Sequence, residues 1–142
     1  MTNPNSLIFF AAAIRGGRQQ QPAYQHILRV LQRYGTVLNQ HVADETISDF
    51  GETDVTRQDI HNREMEYLRQ ADVIVAELTT PSLGVGYLIA SALQQKKPVI
   101  GLYQGLHTHK LSAMIKGDER IIIQLYNHPE ELDKILDEHI RT

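Results

Sequence analysis

The chain has 142 residues, 42% of them hydrophobic, a length and content that suit one globular domain spanning residues 1–142 with a sizeable buried core. With 14 basic against 17 acidic residues, its formal charge of -3 excludes the basic excess that a nucleic-acid polymer demands for phosphate neutralisation, and leaves room for a small anionic ligand held locally. Cysteine is absent, which rules out a disulfide framework and any thiolate metal site. The start Met1-Thr2-Asn3-Pro4-Asn5 lacks the features of a signal peptide and no apolar stretch is long enough to span a bilayer, so a soluble, cytoplasmic protein without membrane contact is expected.

Ser6 to Ala13 is a continuous apolar run of the length of a strand buried on both faces, broken by Arg15-Gly16-Gly17-Arg18. From Pro22 to Tyr34 apolar residues recur at helical spacing, and Gly35 stands where a helix would stop. Thr36 to Leu38 is a short second strand. Residues 39–56 are polar and acidic without a period, as in a flap or a partner contact. Ile60, Met65, Leu68 and Ala71 mark a second helix, and Asp72 to Leu78 reads as a central parallel strand. A turn at Thr79-Thr80-Pro81-Ser82 leads to a helix over Val85–Gln95, a strand over Pro98–Tyr103 and a short helical piece over His107–Lys116. A strand over Arg120–Leu125 and a closing helix over Pro129–Ile140 complete the chain. This alternation predicts an α/β fold: a single-domain, open five-stranded parallel sheet flanked by helices, Rossmann-like or flavodoxin-like.

Ligands bind at the carboxyl edge of such a sheet. Three segments fall there and are expected to line one crevice: Ile14 to Gly17, Thr79 to Gly86, and Gln104 to Ser112. Arg15 with two following glycines offers a guanidinium fork and backbone N–H groups to a phosphate, or else makes a flexible turn with a solvated arginine. Ser82 precedes a helix whose start favours negative charge, and its hydroxyl serves either an anion or the helix cap. Gly84-Val85-Gly86 is no dinucleotide fingerprint, because Ile89 replaces the third glycine and the segment follows the wrong strand. Signatures of phosphoryl transfer, serine hydrolysis and zinc proteolysis are all missing. The seven histidines, among them His26, His41 and His61 on separate elements, read as scattered surface residues, so no metal and no other cofactor is expected. Glu64 is either a crevice carboxylate or a solvated helical acid; Glu77 is either a crevice carboxylate or a hydrogen-bonded, partly buried one.

Taken in order, several segments resemble the nucleoside 2-deoxyribosyltransferase family over almost the whole chain, and within it the hydrolases that act on 2'-deoxynucleoside 5'-monophosphates. They are Ile14-Arg15-Gly16-Gly17-Arg18, Gly35-Thr36-Val37-Leu38 with His41-Val42-Ala43, Gln70-Ala71-Asp72-Val73, Ala76-Glu77, Pro81 to Tyr87, and Leu111 to Ile115. The resemblance implies a homodimer that splits the bond between base and deoxyribose through a carboxylate nucleophile and a second acid, without metal. It also implies that Arg15, Ser82 and a Ser112 from the neighbouring subunit hold phosphate, while Ile14, Gly84 and Met114 line the base and sugar pocket; Gly16, beside Arg15, is counted with the substrate-binding residues. The nucleophile position falls on Leu88, which has no lone pair; the second acid falls on Glu64, and a sugar-positioning tyrosine on Phe9. Groups that would hold phosphate match while those that would do chemistry differ. Two readings follow: an N-glycoside hydrolase by descent, its chemistry lost or moved to Glu64 or Glu77, and a noncatalytic nucleotide-binding or regulatory homologue.

Overall fold

A computed structural model describes residues 6–13, 21–43, 55–108 and 110–140. The elements run β1 (Ser6–Ala11), α1 (Gln21–Leu31), β2 (Gly35–Val37), a 3-10 turn (Gln40–Ala43), α2 (Arg57–Gln70), β3 (Val73–Glu77), α3 (Leu83–Gln94), β4 (Val99–Gln104), α4 (Ala113–Lys116), β5 (Ile121–Tyr126) and α5 (Glu131–Ile140). All strand pairs are parallel, and the sheet order is β2-β1-β3-β4-β5. That is the flavodoxin-like order, and it puts the switch of winding direction, hence the ligand crevice, at the carboxyl ends of β1 and β3.

Alternate residues of β1 and β3 feed two cores, because successive side chains of a strand point to opposite faces. Ile8, Phe10, Val75, Ile100 and Tyr126 pack with Tyr24, Ile27 and Leu31 of α1 and Leu132 and Leu136 of α5. Phe9, Ala11, Ile74, Ala76 and Val99 pack on the other face with Leu68 of α2 and Val85, Ile89 and Leu93 of α3. The near-continuous apolar runs seen in the sequence are what such double-sided burial requires.

Local chemistry sets the element boundaries. Thr56 caps α2 by accepting the Asp59 N–H, and Lys97 Nζ donates to the carbonyls of Arg69 in its last turn and Ala71 at its C-cap. Gly35 does not stop a helix, as its place in the sequence implied: α1 ends at Leu31 and Gly35 opens β2. There a Cβ would lie 2.2 Å from the Ser6 carbonyl oxygen, so strand pairing is what demands glycine. The helix expected from His107 shrinks to the single turn Ala113–Lys116, capped by the Ser112 hydroxyl. Of the polar stretch 39–56, residues 40–43 form the 3-10 turn and 44–54 lie outside the described residues.

Candidate functional site

Ser82 ends the turn that follows β3, and its Oγ accepts the Val85 N–H at 3.2 Å as the N-cap of α3. The helix therefore begins at Leu83, two residues before the sequence placed it. Capping uses an oxygen lone pair and leaves the Ser82 hydroxyl proton free to meet an anion at the positive end of the helix. Ser112 caps α4 in the same way, accepting the Met114 N–H at 3.2 Å. Both serines border one groove of about 940 Å³ between α3 and α4, together with Tyr87, Leu93, Met114 and Ile115. Its rim carries Leu83, 96% exposed, and Met114, 82% exposed. At its polar end the Arg120 fork holds the Asp118 carboxyl at about 2.

The remaining expected site residues either do not border this groove or lie outside the described residues. Phe9 is fully buried in the apolar cluster under α2 and α3, and Leu88 packs half-buried against that same cluster with Leu38 and Met65. Neither borders the groove, nor does Glu64 or Gly84. Gly84 is exposed in the first turn of α3. Ile14, Arg15 and Gly16 lie outside the described residues. The structure thus joins Ser82, Ser112 and Met114 at one groove, and Phe9 and Leu88 in one apolar cluster.

Glu64 is not the solvated helical acid that its spacing allowed. Its side chain is 14% exposed, and Oε1 lies 3.0 Å from His41 Nε2 and 3.6 Å from Arg63 Nη2. Arg63 Nη2 also lies 3.2 Å from that imidazole nitrogen, which cannot both donate to the carboxylate and accept from the guanidinium. With Nε2 protonated, the imidazole donates to Glu64. Oε2 of Glu64 is buried without a hydrogen-bond partner among the described residues.

His41, grouped in the sequence with scattered surface histidines, is thereby part of this polar cluster. It is placed by Asn39, whose side chain continues the pairing of β2: Oδ1 accepts the Phe10 N–H at 2.8 Å and Nδ2 donates to the Phe10 carbonyl. Asn39 is buried and directly precedes the 3-10 turn that carries His41. A polar residue closing a short apolar strand was the signal available for this clamp.

Glu77 is fully buried at the carboxyl end of β3. It accepts hydrogen bonds from the Thr79 N–H and the Tyr126 hydroxyl, and burial pushes its carboxyl above the usual range. Alternation along β3 turns it to the α1 and α5 face, opposite the cluster that holds Leu88. This corrects the expectation that Glu77 could replace a missing nucleophile: it has neither exposure nor the right face. Among the described residues no three histidines or carboxylates gather in a way that could hold a metal.

The model of the nucleoside 2-deoxyribosyltransferase family matches residues 8–130. The chain belongs to this family. It is 42% identical over 137 residues to a 5-hydroxymethyl-dUMP N-hydrolase of Danio rerio, covering 95% of this chain and 96% of that protein. Against the Homo sapiens protein of the same name the identity is 38% over 138 residues, covering 95% and 79%. Among solved structures, a CMP N-glycosidase of Clostridium botulinum superposes with a TM-score of 0.66 at 17% identity, covering 94% of this chain and 99% of that one, a likeness of fold.

Proposed function

We propose that this family member binds a nucleoside 5'-monophosphate, or a similar small anion, at the carboxyl edge of the sheet, and that it lacks the covalent step of N-glycoside cleavage. The observation that carries this reading is the packing of half-buried Leu88 against the apolar cluster that buries Phe9: the expected nucleophile position is apolar surface, with nothing to attack an anomeric carbon. Phosphate would be held by Arg15, Gly16 and the Ser82 hydroxyl, with Ile14, Gly84 and Met114 against base and sugar. The relatives named as deoxynucleotide hydrolases support the ligand class.

The functional unit in this reading is a cytoplasmic homodimer. A twofold contact is self-complementary, so pairing through the α3–α4 groove would bring the partner's Ser112 towards Ser82, and the bare Leu83 and Met114 supply the apolar surface for it.

A panel of deoxynucleoside monophosphates tests the function by thermal shift and by chromatography of released base. Ligand at a hundredfold above its Kd stabilises the native state by about 2.7 kcal/mol, so the expected outcome is a raised Tm with the nucleotide recovered intact. No shift with any nucleotide sinks the binding reading. Release of free base instead establishes an N-glycoside hydrolase, with Glu64 as the candidate carboxylate.

A further inference from the structure

Four hydrogen bonds close a ring across the carboxyl ends of β3, β4 and β5. The Thr79 N–H donates to Glu77 Oε1, and the Gln104 N–H donates to Thr79 Oγ1 at 2.8 Å. Gly105, next in the chain, donates its N–H to the Tyr126 carbonyl at 2.9 Å, and the Tyr126 hydroxyl returns to Glu77 Oε2. Gln104 Nε2 braces the ring on the Asn127 carbonyl at 3.0 Å. Three chain segments leave the sheet from this ring, among them the Thr79–Ser82 turn and the loop that begins at Gly105. Both lead to serines of the groove. Gly105 adopts φ +142°, a backbone direction that L side chains rarely take, so the loop's departure is specified at its first residue.

A fully buried carboxyl with no cation beside it among the described residues is costly, and a side chain with only a packing role would not carry one. Its two oxygens are spent on two different strand ends. We propose that Glu77 is the positioning residue of the ligand edge: through Thr79 and Tyr126 it sets where the Ser82 turn and the Gly105 loop leave the sheet, and so presents the Ser82 hydroxyl to the bound anion. This rests on the nucleotide-site reading above. Glu77 acts through its neighbours and does not touch the ligand. A neutral amide can serve the same two partners, accepting from Thr79 and donating to the Tyr126 oxygen, whereas an aliphatic side chain can serve neither.

The test compares Glu77→Gln, Glu77→Leu and Tyr126→Phe with wild type by hydrogen exchange and by calorimetric titration with dUMP. Glu77→Leu is expected to speed exchange of the Thr79, Gln104 and Gly105 amides and to weaken dUMP binding by about tenfold, the size of one lost, well-made hydrogen bond. Glu77→Gln restores both to near wild type, and Tyr126→Phe, which keeps the ring's shape, gives the same local exchange change should Glu77→Leu not fold. Wild-type exchange at those amides in both Glu77→Leu and Tyr126→Phe overturns the proposal, as does unchanged dUMP affinity alongside loosened amides. Failure of the wild type to bind dUMP overturns the nucleotide reading instead, and the exchange comparison still decides the ring.

Discussion

A carboxylate at position 88 would enter a half-buried place beside an apolar cluster that contains Phe9, Leu38 and Met65. Leu88→Glu is therefore expected to cost about 1–2 kcal/mol of stability through desolvation, and to raise base release from a deoxynucleoside monophosphate above the wild-type level. Melting curves and chromatography read the two effects. A folded variant with no gain in release shows that Phe9 and the His41-paired Glu64 are part of the same loss. Glu77 makes the opposite case, an acid that the fold retains in its interior. Its carboxyl is raised chiefly by burial, with Tyr126, itself facing Tyr24, and Thr79 as polar neighbours. The native state then binds the Glu77 proton more tightly than the unfolded chain does. The stability that Glu77 contributes is full below the ordinary glutamate value of 4.5 and is lost as pH rises through the raised native value. Denaturant titrations from pH 4 upward should show wild type losing stability relative to Glu77→Gln, and parallel curves would refute the shift.

At the scale of elements, β2 is only three residues long, and a side chain completes its work. Asn39 takes both the N–H and the carbonyl of Phe10, groups on a buried strand that would otherwise lie unpaired. Asn39→Ala is expected to destabilise the fold by about 2–4 kcal/mol, the range for orphaning two buried backbone groups. Because the same residue launches the turn carrying His41, the His41 imidazole resonances should shift as well. A loss under 1 kcal/mol with unmoved resonances would show that the clamp is redundant. Thr56, Ser82 and Ser112 repeat one device, a hydroxyl accepting an N–H of its helix's first turn, and the latter two do so on the groove's border. Capping and anion binding are compatible roles for one serine, which is why the sequence could not choose between them for Ser82.

At the scale of the whole molecule, the groove between α3 and α4 joins Ser82 to Ser112, and exposed apolar side chains ring it. Burial of Leu83 and Met114 in a twofold contact predicts a dimer in sedimentation velocity at micromolar concentration. Leu83→Asp, at a position 96% exposed, should give a folded monomer with wild-type circular dichroism. A wild-type monomer at every concentration would remove the partner's Ser112 from the site. The groove and the Leu88 cluster meet along α3: Val85, Ile89 and Leu93 belong to both, Leu83, Tyr87 and Ala90 face the groove, and Leu88 packs against the cluster without bordering the groove.

The parallel α/β architecture, its strand positions to within two residues and the family were legible in the chain alone. Doubly buried strands must be continuously apolar, and flanking helices must carry a 3.6-residue period, so local composition encodes them. The apolar character of position 88 was equally legible, since a leucine side chain has no lone pair to offer in any fold. Which polar groups meet was decided only in three dimensions. Glu77 and Tyr126 are 49 residues apart, and His41 and Glu64 are 23 apart. Such pairs are joined by strand order and by the face that each residue presents, and neither is a local property. One alternation step along β3 put Glu77 on the face away from Leu88, buried and bonded to Thr79 and Tyr126.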